Sequence, residues 1–168
     1  RGFNDFRNKD LIQKINKSHN ISITLPKDFF LAYSDSSVTW VRRETPKISQ
    51  GILISNLASP IKTQAKPIRL KIDSIMKDYI FGPAKESYMK SEKEAPIKID
   101  SVIINNNLAL RLQSLWRMEN DFMGGIYHAY YFNTEDGPII VYTYLYAPGE
   151  KKSVFLLQLE SIINTIVF

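Results

Sequence analysis

Apolar residues recur along the chain with two periods, and the order of those periods sketches the fold. Leu11, Ile12 and Ile15 lie at helical spacing, which predicts a helix over residues 4–18. Ile21, Ile23 and Leu25 alternate as in a strand, which should stop at Pro26 because proline brings no ladder N–H. Residues 29–33 and 38–43 flank Ser34-Asp35-Ser36-Ser37 as the arms of a hairpin would, and 51–57 reads as another short strand. Pro67 then opens a helix that keeps Ile68, Ile72, Ile75, Met76 and Tyr79 on one side. Proline at a first helical position removes only an N–H that would have been unpaired. Residues 80–96 hold Gly82-Pro83, Pro96 and a charged run over 90–94, and predict a long surface loop with one short strand at Tyr88.

From residue 97 onward the pattern is a β-meander. Strands are expected over 97–104, 108–118, 126–132 and 139–146, joined through Asn105-Asn106-Asn107, the stretch 119–125 and Thr134-Glu135-Asp136-Gly137-Pro138. Asparagine tolerates positive φ, so the first of these turns is chemically sound. A final helix over 151–165 carries Phe155, Leu156, Leu159, Ile162 and Ile163. Strands in runs joined by short turns mean an antiparallel sheet. The expected fold is therefore α+β: a largely antiparallel sheet of six to eight strands with about three helices packed on one face. At 168 residues, residues 1–168 fit a single domain with a real core.

Composition narrows the classes without choosing a function. Hydrophobic content of 44% and charged content of 23% are those of an ordinary globular protein. No apolar run approaches the ~18 residues of a membrane span. The chain has no cysteine, which excludes disulfides, thiol catalysis and thiolate metal sites within it. Residues 1–100 hold 18 Lys/Arg against 11 Asp/Glu, whereas 101–168 hold 4 against 6, so the formal charge of +5 resides in the first part. These cations are scattered over helix, loop and strand patterns. They read as a solvated basic face, and nucleic acid is not the expected partner.

Chemistry concentrates in residues 116–125. In the strand before them, Leu108, Leu110, Leu112, Trp116 and Met118 share one face and Arg111, Gln113 and Arg117 the other, so Trp116 should enter the core. Gly124 and Gly125 would permit positive φ in a tight turn or bulge. Glu119 and Asp121 would pair with Arg117 or accept turn N–H groups. The functional alternative is a pocket rim where Arg117, Glu119, Asp121, Met123, Gly124 and Gly125 meet a ligand. Tyr142, Tyr144 and Tyr146 alternate along one strand, either as an aromatic ladder or as a platform for sugars or bases. Nucleophile-elbow, phosphate-loop and dinucleotide signatures are absent. A hydrolytic or metal site would have to combine Glu119, Asp121 and His128 on one side of the sheet. No catalytic residue, metal or cofactor is assigned.

Several stretches resemble the DUF4837 family, uncharacterised Bacteroidetes proteins commonly taken as lipoproteins, over the family's C-terminal half. They are Ile23-Thr24-Leu25-Pro26, Trp40-Val41-Arg42-Arg43-Glu44-Thr45, Ile48-Ser49-Gln50-Gly51-Ile52, Asp73-Ser74-Ile75-Met76-Lys77 and Gly82-Pro83-Ala84-Lys85-Glu86-Ser87-Tyr88-Met89. The most specific are Leu115-Trp116-Arg117 and Asp121-Phe122-Met123-Gly124-Gly125, followed by Tyr146-Ala147-Pro148 and Gln158-Leu159-Glu160. The chain departs from the pattern at Ile126-Tyr127, where the family continues with Pro-Phe. The family has no assigned activity. The resemblance implies a location in the cell envelope, with membrane attachment only through a lipid anchor outside this chain. The opening hairpin and final helix are also similar to the Mog1/PsbP-like sandwich, a likeness of fold alone. Together these readings lead to the expectation of a non-catalytic envelope module that binds a protein partner or an envelope glycan.

Overall fold

A computed structural model describes residues 6–168, and the start of the expected first helix at residues 4 and 5 lies outside them. Helix α1 runs Lys9–His19: the Asn8 side chain accepts from Leu11 N at 3.2 Å and caps its start. Asn20 ends it in the left-handed conformation, φ 55°. Next come strands β1 (Phe30–Ser34), β2 (Val38–Glu44) and β3 (Ser49–Asn56), then helix α2 (Ala65–Tyr79). Pro67 thus sits third in α2 rather than first, still within the turn whose N–H groups have no helical acceptor. Strands β4 (Met89–Ser91), β5 (Lys98–Ile104), β6 (Asn107–Met118), β7 (Gly124–Thr134) and β8 (Gly137–Tyr146) precede helix α3 (Ser153–Ile163).

The eight strands form one antiparallel sheet in the order β1-β2-β3-β8-β7-β6-β4, with β5 also paired to β6. The expected α+β class and strand number hold. The alternating segment 21–25 is the exception among the strands. Ile21, Ile23 and Leu25 are buried as their spacing requires, yet the segment joins no ladder. Its backbone instead bonds chain ends: Ser22 exchanges two hydrogen bonds with Val167, and Leu25 O accepts from Asn8 N at 2.7 Å. Period 2 reports which side chains go inward, not whether a neighbouring strand exists.

The placement of all three helices on one face is corrected by the structure. Helices α1 and α3 pack with Val41, Ile52, Ile54, Tyr130, Phe132, Val141 and Leu145. Helix α2 packs with Trp40, Leu53, Leu112, Tyr131, Ile140 and Tyr142 on the reverse side. Neighbours such as Ile52, Leu53 and Ile54 are all fully buried, which one covered face cannot achieve. The central strand β8 is apolar on both sides, so both need a cover.

Candidate functional site

The turn at residues 116–125 is fixed by its backbone. Met118 N donates to Met123 O at 2.9 Å, Asn120 takes φ 60°, and Asp121 Oδ1 accepts from Phe122 N at 2.8 Å. Glu119 N donates to Tyr88 O at 2.8 Å, tying the turn to the segment before β4. Positive φ therefore falls on Asn120 and not on the glycine pair, which already belongs to β7. Gly125 is required for a different reason. It lies opposite Trp116 across the β6–β7 ladder, and a Cβ there would enter Leu145 O and come 2.9 Å from Trp116 Nε1. The indole rests on the bare backbone and donates to Leu145 O at 3.2 Å. Gly51 does the same for Tyr144, whose ring occupies the space of its missing Cβ.

These two glycine-seated rings form part of the wall of a cavity of about 480 Å³. It opens where α2 ends. Fifteen residues of helix span roughly 22 Å, whereas the ten residues of β8 span roughly 34 Å, so the strand ends outrun the helix. Ile80, Met89, Trp116 and Met118 are each buried in its lining. Trp40, Tyr144 and Tyr146 add aromatic wall, while Phe81, exposed at 64%, and Met123 contribute apolar lining that reaches solvent. Both tryptophans of the chain and three of its four methionines line this one space.

Polar chemistry enters the cavity through Arg42, Glu44 and Ser49. The Arg42 guanidinium lies 5.3 Å from the ring centroids of both Trp40 and Phe30. Its Nε is 2.9 Å from Glu44 Oε2 but not aligned to hydrogen-bond it, and that buried atom has no hydrogen-bond partner. The Tyr144 hydroxyl accepts from Trp40 Nε1 at 3.2 Å and so keeps its own proton to donate. Burial pushes the Tyr144 phenol up to about 12, which holds it protonated at any physiological pH.

The residues singled out from sequence separate into groups. Met123 and Tyr144 line the cavity, and Gly125 seats its Trp116. Gly124 is exposed beside them. Arg117 and Glu119 form a surface ion network with Lys90 and Glu92, the contacts of Glu119 Oε1 to Arg117 and Lys90 being 3.3 Å each. Asp121 serves its own turn. Tyr142 is buried, its hydroxyl donating to Met89 Sδ at 3.3 Å, so the tyrosine stripe is core rather than an open platform.

His128 faces the α1/α3 side, 3.2 Å from Gln113 and in the field of Arg111, Glu160 and Asp100. It does not meet Glu119 and Asp121. Among the described residues no three His, Cys, Asp or Glu side chains group as a metal site. Sequence reasoning missed Trp40, Arg42 and Glu44 as one set. Their spacing of two along a strand was the available signal.

Fold and site together define an α+β antiparallel-sheet protein with an aromatic- and methionine-lined cavity beyond the end of a single covering helix. The chain belongs to the DUF4837 family, a domain of unknown function, whose model matches residues 8–165. No curated protein matches it. None of its described helices is long and apolar enough to cross a membrane.

Proposed function

We propose that this domain is a non-catalytic binding module of the cell envelope, and that the cavity beyond α2 receives an apolar side chain from a protein partner. The observation that carries the reading is the lining itself: Trp40, Trp116, Tyr144, Tyr146, Met89, Met118 and Met123 around about 480 Å³. That volume falls in the range of ligand sites, and aromatic residues and methionine are enriched where proteins meet. Methionine side chains are flexible and polarizable, so they fit apolar groups of differing shape. The solvent-exposed Phe81 in the lining adds apolar contact area for a partner.

An envelope glycan is the second reading, favoured by the stacked rings alone. A sugar would have Arg42, Glu44, Ser49 and the Tyr144 hydroxyl to bond at one side, in a lining whose remaining surface is mainly apolar. The envelope location rests on the resemblance of the sequence to lipoproteins.

Because both tryptophans line the cavity, fluorescence excited at the red edge, where tyrosine does not absorb, reports on it alone. Titration with acetylated, amidated tripeptides containing Phe or Leu should give a saturable change, and cellobiose should give none. A response to cellobiose with silence to the peptides favours the glycan reading instead. Silence to both removes the cavity as a site.

A further inference from the structure

Two adjacent arginines on β2 face opposite sides of the sheet and are used differently. Arg43 is fully engaged: it donates to Gln50 at 2.9 Å, Asp28 at 3.0 Å and Gln158 at 3.3 Å, and stacks on Phe29. Arg42, at the cavity, is held in place by Trp40 and Phe30 but has a buried Nε without a hydrogen bond. Its ion partner Glu44 has a side chain 45% exposed, and exposed pairs of this kind contribute little. An incoming carboxylate can therefore replace Glu44 at small cost and take up the aligned hydrogen bond that Glu44 does not make.

We infer that the cavity takes the C-terminal residue of a partner protein, its large apolar side chain against the tryptophans and its α-carboxylate on Arg42. The inference rests on the cavity being the binding site and adds what the site reads. Arg42 Cζ lies 5.3 Å from the Trp40 ring centroid, so an anion on the guanidinium is within one residue's reach of the aromatic wall. The α-carboxylate is the anion nearest to a residue's own side chain, two bonds from Cβ. An Asp or Glu elsewhere in the partner would have to crowd a second residue over the same corner. The Tyr144 hydroxyl, whose oxygen already accepts from Trp40, supplies a second donor nearby.

The test compares three acetylated peptides by tryptophan fluorescence at low salt: Ala-Ala-Phe with a free C-terminus, the same peptide amidated, and Ala-Phe-Ala amide. The free acid should bind about tenfold more tightly than either amide, the size of one charge-assisted hydrogen bond. That preference should shrink as salt is added. Arg42→Gln should bring the acid down to the affinity of its amide, whereas Glu44→Gln, which removes the competing carboxylate, should widen the gap. Equal affinity of acid and amide, or a preference that survives Arg42→Gln, overturns the inference and leaves the cavity as a binding site. Failure of all three peptides to bind overturns both.

Discussion

The two faces of the sheet solve the same burial problem with different means. On one, α1 and α3 lie over aliphatic strand residues such as Val41, Ile52, Ile54 and Val141, and the core closes. On the other a single helix covers an equally wide sheet. Bulk comes from the strands themselves, through Trp40, Trp116, Tyr127, Tyr131, Tyr142 and Tyr144. Each buried phenol or indole there has a partner: Ser91 for Tyr127, Ile61 N for Tyr131, Met89 for Tyr142, and Trp40 with Tyr144. Large rings can roof a sheet without a helix, but they do not tile it completely. The space left beyond the end of α2 is the cavity, so the under-covered face is also the one able to bind.

The largest test of that contrast is Gly125→Ala. A methyl group there runs into a backbone carbonyl and the Trp116 indole, so overpacking should cost about 3 kcal/mol, visible as a lower urea midpoint. A loss under about 0.5 kcal/mol would mean the ring is not seated as described. Next is Leu159→Ala on the closed face, expected to cost about 2–3 kcal/mol while leaving peptide affinity unchanged. Met123→Ala at the cavity should do the reverse. It should cost less than about 1 kcal/mol, because the side chain is half-buried, yet weaken peptide binding several-fold.

Smaller effects come from titration on the closed face. His19 is held between Thr39 Oγ1 at 2.8 Å and Asn56 Oδ1 at 3.1 Å, and burial lowers its pKa below 6.5. Burial, with Arg111 nearby, lowers that of His128 too. The unfolded chain therefore takes up these protons first. Stability should be full above pH 6.5 and fall as pH drops through that value toward the folded-state pKa values. Thermal melting from pH 7.5 to 5 should show the fall, and His19→Gln should reduce its slope; a flat profile would contradict it. Asp35 titrates lower and lies off that face, in the turn between β1 and β2 beside Tyr79 of α2. The Ser37 N–H foremost, then Val38, Tyr33 and Tyr79, hold its carboxyl at about 2. Its share of stability is full above the ordinary carboxylate pKa and is lost progressively as pH falls from there through about 2. Asp35→Asn should flatten that acid limb and, by removing a nearby negative charge, lower the His19 pKa further.

Much of this architecture was legible in the chain. The meander from residue 97, the apolar stripe of α2 and the inward Trp116 follow from periodicity that tertiary packing reinforces. Cover on both faces was also written there, in runs such as Ile52-Leu53-Ile54 and Ile139-Ile140-Val141-Tyr142 that do not alternate. The cavity was not. It joins residues 40–49, 80–89, 116–123 and 144–146, and only ladder register brings Gly51 under Tyr144 and Gly125 under Trp116. For the same reason Gly124-Gly125 suggested a turn: a glycine needed for close approach and one needed for positive φ look alike in sequence.

Methionine methyl NMR shows whether the under-covered face is the binding face. Met89, Met118 and Met123 line the cavity, whereas Met76 is buried on the sheet-facing side of α2. With methyl-labelled methionine, adding the acetylated Ala-Ala-Phe peptide should shift the three cavity resonances saturably and leave Met76 in place. Shifts of all four together, or none at millimolar peptide, would mean that the cavity does not bind.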